Sequence, residues 1–284
     1  MIWNQTEFNN KVADVAKKLK IKGFEAQLLL AQERFLARLA SHEEGRGFVW
    51  KGGSLLLRKY MPEETTRFTV DIDLLAKGIS VESSEAVFKK AIALDLEDGF
   101  AFENLIKSFM ERDTPYGGER YEMDWSFFKK PGAPNNNSMK LKLDVCAGDD
   151  VAEDVVPAAD LFLATEGTDN LSFRIYPAEF IFAEKLETAV RFKSGNSRFK
   201  DFIDLWALSE HIKDTKKLKA AIDRCFKRRS TPYDALQIVA LLSDKAFIQQ
   251  LEQYGRKHYE RMMLPKVATM LGEIKNVITT IQKQ

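Results

Sequence analysis

Apolar residues recur at helical spacing near the start of the chain, between about Thr6 and Ser41. One apolar residue every three or four positions is typical of a helix that buries a single face. We therefore predict two amphipathic helices in this region, which pack against the rest of the fold. Their apolar stripes consist of Phe8, Val12, Val15 and Leu19, and of Leu29, Leu30, Phe35, Leu36 and Leu39.

The pattern changes between about Gly47 and Ala164, where apolar and polar residues often alternate. Alternation favours strands with one buried face, and stretches with helical spacing between them indicate a mixed α/β region. We expect a turn at Pro115–Gly118. The predicted strands are Phe48–Trp50, Arg67–Leu75, Ala101–Arg112, Glu119–Phe128 and Met139–Val145, with helices beginning at Ser54 and covering Ser83–Asp95.

From Pro177 onward the spacing is helical throughout. The change from a mixed pattern to helical spacing falls between about residues 165 and 177, so we predict two domains, residues 1–170 and residues 171–284. The fold class predicted is α+β, with a mixed sheet followed by a helical bundle. The expected helices of the second domain are Ala178–Lys193, Phe199–His211, Thr215–Arg228, Tyr233–Leu242, Asp244–Gly255 and Pro265–Ile281.

Composition narrows the classes of protein that need to be considered. The 43 basic and 42 acidic residues nearly cancel, so contact with nucleic acid would have to come from local patches. The two cysteines are far apart and fit a reducing compartment. Neither a signal peptide nor an apolar run long enough to span a membrane is evident. A cytoplasmic location without membrane contact is therefore expected.

Asp71 and Asp73 stand two positions apart on a predicted strand, so both side chains project from the same face. Magnesium prefers hard oxygen ligands and commonly takes one or two carboxylates together with the phosphates of a substrate. Paired carboxylates of this kind can hold the two metal ions of phosphoryl transfer. The alternative interpretation is an exposed edge strand with two solvated aspartates.

Gly52, Gly53 and Ser54 lie between a predicted strand and a predicted helix, ahead of the Asp71 strand. Glycines let a backbone approach a phosphate closely, and the start of a helix favours negative charge. The spacing is not that of a Walker loop. Read alone, these residues favour an ordinary helix cap at a turn.

Asp144 could supply a third carboxylate from a neighbouring strand. It shares one face of Met139–Val145 with Lys140 and Lys142, while apolar residues form the other face. Such a residue could complete the metal site or act as a base toward an attacking hydroxyl. It could also be one more solvated residue of a strand. A zinc site is not indicated, because the three histidines are scattered along the chain.

The glycine loop, the stretch Arg67–Asp73 and the distant Asp144 together resemble the polymerase-beta-like nucleotidyltransferase superfamily. Three further stretches are similar to the AbiEii-type family of nucleotidyltransferase toxins, which belong to bacterial abortive-infection and toxin–antitoxin systems. These stretches are Tyr116–Arg120, Tyr176–Glu187 together with Arg191, and Arg198–Leu205. The whole resemblance covers about Phe48 to Leu205.

The resemblance implies a polymerase-beta-like core and a role for each matching residue. Gly53 and Ser54 would bind a nucleoside triphosphate, with Asp71, Asp73 and Asp144 around Mg²⁺, and Lys185 would contact the triphosphate from the helical domain. The family's last motif contains an aspartate that usually follows an arginine. Asp201 matches this aspartate, with Asp204 close behind, although Lys200 stands where the family usually has arginine. Arg191 would either bind the same anion or pair with Asp201.

These inferences predict a magnesium-dependent nucleotidyltransferase with two ions, acting as a toxin beside a cognate antitoxin. The expected acceptor is RNA, at the 3′ end of a transfer RNA; the alternatives are a protein hydroxyl and a non-catalytic nucleotide or RNA binder. One predicted helix offers a basic surface for RNA, or else an ordinary solvated face. Its cations are Lys216, Lys217, Lys219, Arg224, Lys227, Arg228 and Arg229.

Overall fold

The computed structural model describes residues 3–62, 65, 67–109, 118–128, 139–147, 151–192, 199–259 and 262–283. The chain forms two compact units. The first contains Met1–Lys59 and Phe68–Tyr176, and the second contains Tyr60–Arg67 and Pro177–Gln284. Residues 115–117 of the predicted turn lie outside the described part of the chain.

The first unit combines helices with a mixed sheet, as the alternating pattern predicts. Its helices are α1 (Gln5–Leu19), α2 (Gly23–Ala40), α3 (Gly52–Lys59) and α4 (Ser84–Ala93). Its strands are β1 (Phe48–Lys51), β2 (Asp71–Ala76), β3 (Phe100–Phe109), β4 (Gly118–Phe127), β5 (Met139–Ala147), β6 (Asp154–Pro157) and β7 (Ser172–Ile175).

The seven strands form one sheet in the order β3-β4-β5-β2-β1-β7-β6. β2 runs parallel to β5, and β1 runs parallel to β7, while the other neighbours are antiparallel. This mixed sheet confirms the predicted α+β class. The prediction missed β6 and β7, and it was wrong about the start of β2, which begins at Asp71 rather than Arg67.

The apolar positions of the central strands face the core of the first unit. Ile72, Leu143 and Tyr121 are completely buried side by side on β2, β5 and β4. Phe88 of α4 packs edge-on against Tyr121, with 5.0 Å between ring centroids. Because side chains alternate along a strand, this packing leaves the intervening polar residues on the opposite face of the sheet.

Helix α2 differs from the simple amphipathic helix predicted, because charged residues are buried on it as well. Arg38 donates two hydrogen bonds to Asp98, each 2.7 Å long, and both side chains are essentially inaccessible to solvent. Glu33 accepts a 3.0 Å hydrogen bond from Arg58, and this pair is also buried. Each buried charge therefore has an opposite charge beside it, as burial of an ion requires.

The second unit is helical in its described part, in agreement with the sequence pattern. A core of apolar residues from several of its helices is completely buried, including Phe182, Ile203, Leu218, Ile222, Ile274 and Ile278. No helix among the described residues has the length and apolar content needed to cross a membrane. The helices are α5 (Ala178–Phe192), α6 (Phe199–Ser209), α7 (Thr215–Arg228), α8 (Ala235–Leu241), α9 (Lys245–His258) and α10 (Val267–Gln282).

Candidate active site

The polar face of the sheet brings the three predicted aspartates onto neighbouring strands. Asp73 of β2 lies directly opposite Asp144 of β5, and Asp71 is two positions earlier on β2. Directly opposite residues of neighbouring strands point to the same face. The parallel pairing of β2 with β5 therefore groups residues that are about seventy positions apart in the sequence.

Two basic residues continue the same row across the sheet. Lys51 of β1 lies opposite Asp73, and Arg120 of β4 lies opposite Asp144. The row therefore reads Lys51, Asp73, Asp144 and Arg120 over four strands. The Lys51 ammonium is buried over the ring of Tyr176, 4.5 Å from its centroid. Two carboxylates are thus flanked by two cations, which lowers the electrostatic cost of placing them side by side.

Arg120 forms a two-pronged ion pair with Asp144. Its Nε donates to Oδ1 at 2.7 Å, and its Nη2 donates to Oδ2 at 2.6 Å. The same Nη2 lies 3.9 Å from Oδ2 of Asp71. These hydrogen bonds to Asp144 raise the pKa of Arg120 above its usual value. Arg120 is therefore the cation that serves two of the three aspartates in the structure.

The glycine pair places the start of α3 against Asp73. The backbone N–H of Gly53 donates to Oδ2 of Asp73 at 3.3 Å. Gly52 has a φ of +70°, and a Cβ at that position would lie 1.9 Å from the same oxygen. The positive end of a helix favours negative charge within its first turn. The loop thus supports Asp73 directly, which the sequence analysis had not anticipated.

Replacing Gly52 with alanine is expected to destabilise the protein by at least about 1 kcal/mol, because an L-residue is strained in the left-handed region. The added methyl group would also displace the Asp73 carboxylate. Thermal unfolding followed by circular dichroism measures the effect. Gly23→Ala is the matched control, since a Cβ there would have no neighbour within 4 Å. Equal melting temperatures for the two variants would contradict the expectation.

Ser54 is completely buried in the first turn of α3. Its Oγ accepts a 2.8 Å hydrogen bond from Nε1 of Trp50. The serine hydroxyl therefore joins the end of β1 to the beginning of α3. Its predicted role toward a triphosphate, like that of Gly53, stays a prediction.

The chemistry of these side chains suits magnesium, although their present contacts involve Arg120. Asp71 and Asp73 are partly exposed carboxylates on one face of one strand, a donor set that Mg²⁺ accepts when phosphate oxygens complete its shell. With the side chains as they are, no three carboxylate, imidazole or thiol groups of the described residues form a group able to hold a metal ion. To become a third metal ligand, Asp144 would have to give up its hydrogen bonds with Arg120.

The remaining predicted residues lie in the second unit, where Lys185 joins a buried ion network. Its ammonium donates to Oδ1 of Asp201 at 3.1 Å and lies 2.8 Å from Oδ2 of Asp204. Arg67 holds Asp204 from the other side, through Nε and Nη2, both at 2.7 Å. Both aspartates are completely buried. Two positive and two negative side chains therefore balance one another in this network.

The network shifts the proton affinities of Asp204 and Lys185. Burial alone would raise the pKa of Asp204, but Arg67 and Lys185 hold it well below its ordinary value. Burial alone would lower the pKa of Lys185, and Asp204 and Asp201 raise it above its ordinary value. Asp204 and Lys185 are thus both charged at neutral pH. Lys185 keeps 17% of its side chain exposed, and its predicted contact with a triphosphate stays a prediction.

Arg191 has a partner that the sequence analysis did not single out. Its Nε donates to Oε1 of Glu187 at 3.1 Å, one helical turn earlier on α5. Glu187 is completely buried and also accepts hydrogen bonds from Arg229 and Thr231. Arg191 therefore takes part in a cluster that joins α5 to the end of α7. Its expected contact with an anion stays a prediction.

Sequence reasoning missed the roles of Lys51, Arg67 and Arg120. Arg67 and Arg120 stood within motifs that were noted, and Lys51 directly precedes the glycine pair. The available signal for Arg120 was its place in the alternating pattern of β4, where it falls on a polar position. The register between β4 and β5 was needed to place it opposite Asp144, and no local pattern specifies a register.

Comparison with known proteins gives two kinds of result. A family model described as "Nucleotidyl transferase AbiEii toxin, Type IV TA system" matches residues 34–271. No curated protein sequence matches the chain significantly. Among solved structures, JHP933 from Helicobacter pylori superposes with a TM-score of 0.52 at 16% identity, over 100% of this chain and 94% of its own.

A second solved structure, a candidate nucleotidyltransferase from H. pylori, gives the same TM-score of 0.52 and the same identity of 16%. It covers 91% of this chain and 93% of its own. At this identity the likeness concerns the fold alone. The family model extends over most of the chain, from α2 to α10. The chain therefore belongs to the family of AbiEii nucleotidyltransferase toxins.

Proposed function

We propose that this toxin transfers a nucleoside monophosphate from a nucleoside triphosphate to a hydroxyl of RNA, at the 3′ end of a transfer RNA, in a magnesium-dependent reaction. The observation that carries the proposal is the alignment of Asp71, Asp73 and Asp144 on one face of β2 and β5. The start of α3 next to Asp73 adds support, because a helix start favours an anion.

In this proposal each residue of the first unit has a separate task. Asp71 and Asp73 would hold the metal, with Asp144 as a third ligand once Arg120 has been displaced, and the first turn of α3 keeps Asp73 in position. Magnesium supplies charge neutralisation on the phosphates and makes the α-phosphorus more electrophilic. Asp144 orients the attacking hydroxyl or receives its proton, once it is released from Arg120. The nucleotide bond breaks between the α- and β-phosphates, so pyrophosphate leaves.

The second unit offers a basic surface suited to an RNA backbone. Four cations of α7 are exposed. Two others of the predicted set lie beside carboxylates. Lys217 lies 3.6 Å from a carboxylate oxygen of Glu179, and Arg229 donates to Glu187 at 2.7 Å. The exposed residues, which we call the α7 basic face, are Lys216, Lys219, Arg224 and Lys227. Phosphates bound to such a face release counterions, which favours association at low salt.

Replacing Lys216, Lys219 and Lys227 together with glutamine is expected to weaken RNA binding and to flatten its salt dependence. Loss of three phosphate contacts should reduce the slope of log K against log salt by about 2–3. Binding of a fluorescent transfer RNA at several salt concentrations measures both changes. The matched control replaces Lys17, Lys18 and Lys20 of the first unit, which are also exposed. If both triple variants behave alike, the α7 basic face is not an RNA-binding surface.

The proposed reaction is tested by supplying each of the four α-labelled nucleoside triphosphates in turn, with magnesium and total cellular RNA. We expect label in a band of transfer RNA size, and no label when Asp71→Asn replaces the wild-type protein. The preferred nucleotide would be identified in the same experiment. Label on protein would instead support nucleotidylation of a protein hydroxyl. No label in RNA or protein would contradict the proposal and favour a binder without this activity.

The family is described as part of a type IV toxin–antitoxin system. We therefore propose that a cognate antitoxin exists for this chain. Co-expression with the neighbouring reading frame tests this idea, with growth as the readout. Growth arrest caused by the wild-type toxin, relieved by the neighbour and absent with Asp71→Asn, is the expected pattern.

A further inference from the structure

We propose that Arg120 is a positioning residue that occupies Asp144 in the metal-free protein and competes with the metal for this carboxylate. The inference rests on the proposed function, since it assumes that the aspartates of β2 and β5 hold the metal. It adds a regulation of that site, because the third carboxylate then becomes a ligand only after Arg120 has been displaced.

The first step of the argument is the completeness of the ion pair. Both oxygens of Asp144 accept a hydrogen bond from Arg120, at 2.7 and 2.6 Å. Paired hydrogen bonds between a guanidinium and a carboxylate are among the stronger polar contacts in proteins. A metal that binds Asp144 must therefore replace these bonds, and part of its binding free energy is used in doing so.

The second step concerns the position of the guanidinium. Its Nη2 lies 2.6 Å from Asp144 and 3.9 Å from Asp71, so one positive group serves carboxylates on two strands. A divalent ion shared by these carboxylates would require the same place. Two cations cannot share it, because their repulsion at such short range is large.

The third step concerns which partner of the ion pair is able to move away, and the exposure of the two side chains points to the guanidinium. Arg120 has 40% of its side chain exposed, whereas Asp144 has 12%. Arginine has a long side chain, and its guanidinium binds phosphates as readily as carboxylates. A triphosphate that arrives with magnesium offers new partners to the displaced guanidinium. Metal and nucleotide should therefore favour each other's binding.

The test measures binding of Mn²⁺, used as a spectroscopic substitute for Mg²⁺, to the full-length protein without nucleotide. Electron paramagnetic resonance reports the free ion directly. Arg120→Gln keeps much of the side-chain length but removes the charge, and we expect it to bind Mn²⁺ at least about tenfold more tightly than the wild type. Arg120→Lys should give a smaller increase, because it keeps a charge but loses the two-pronged geometry.

The matched control is Lys142→Gln, which removes a positive charge from the residue opposite Asp71 on β5. Equal tightening in this control would mean that net charge alone sets the affinity, and it would overturn the inference. So would unchanged or weaker Mn²⁺ binding in both Arg120 variants, although the proposed function would survive. If neither the wild-type protein nor either Arg120 variant binds Mn²⁺ measurably, the metal site itself is wrong.

Circular dichroism of each variant confirms that the comparison is made between folded proteins. The magnesium dependence of transfer gives a second readout: the concentration required for half-maximal activity should fall in Arg120→Gln. If Arg120 had only a structural role, its replacement would lower activity without changing the magnesium concentration required for half-maximal activity. An unchanged midpoint, together with unchanged Mn²⁺ binding, would contradict the competition.

Discussion

Replacing Asp73 with asparagine is expected to reduce nucleotidyl transfer by at least about a thousandfold. In the proposed reaction, Asp73 binds the metal, and loss of about 4 kcal/mol of transition-state stabilisation corresponds to this factor. The asparagine keeps the shape of the side chain and can still accept the hydrogen bond from Gly53. Stability should therefore change little, and the loss should appear in kcat with labelled nucleotide as substrate.

Asp71→Asn should show a similar loss of activity, since it changes the other carboxylate of the same strand face. Asp154→Asn is the control, because Asp154 is exposed on β6 of the same unit. Its activity should equal that of the wild type. Full activity in either the Asp71 or the Asp73 variant would rule out the metal assignment, provided that both variants melt near the wild-type temperature.

The second large effect is expected from Asp204→Asn, which should destabilise the protein by about 3–5 kcal/mol at neutral pH. Removal of one member of a buried ion network leaves the opposite charges without compensation. Here the affected cations would be Arg67 and Lys185, which both contact Asp204. Urea unfolding followed by circular dichroism gives the difference in the free energy of unfolding.

The loss of unfolding free energy caused by Asp204→Asn should depend on pH in a definite direction. The pKa of Asp204 is lowered in the folded protein, compared with about 3.9 in an unfolded chain. The stabilisation is therefore fully present above about pH 4 and disappears as the pH falls toward the folded-state value. The wild type and the variant should converge in acid. A difference that stays constant from pH 7 to pH 3 would disprove this account.

Asp223→Asn is the control for that experiment, because Asp223 is an exposed aspartate of the same unit. An exposed substitution of this kind should change the free energy of unfolding by less than about 0.5 kcal/mol. Similar destabilisation in both variants would mean that the buried network around Asp204 has no special importance for stability.

The sequence predicted the longer elements well because each repeats its pattern over several turns or alternations. Helix α7 matches its prediction at both ends, and β5 begins at the predicted Met139. The strands β6 and β7 have four residues each, which is too short for an alternating pattern to be distinguished from a loop. The start of β2 was misplaced for a different reason: Arg67 contacts Asp204 in the second unit and lies outside the sheet.

The candidate site was predictable in its residue types but not in its contacts. Asp71 and Asp73 could be paired from their spacing, since both lie on one strand. The position of Asp144 opposite Asp73 and that of Arg120 opposite Asp144 depend on which strands are neighbours. Neighbours and register follow from the packing of the whole sheet. The pattern along one strand therefore cannot reveal that a cation already holds the third carboxylate.

The path of the chain also limits how this protein can be divided experimentally. Tyr60–Arg67 belongs to the second unit, although the chain on either side of it belongs to the first. Cutting after Tyr176 would leave Arg67 on a fragment that no longer contains Asp204, and the other fragment would keep Lys185 beside that aspartate but lose Arg67. Each half would expose polar groups that are buried in the intact protein. Fragments ending at this boundary should therefore be poor substitutes for the whole toxin, and point variants are the better tool.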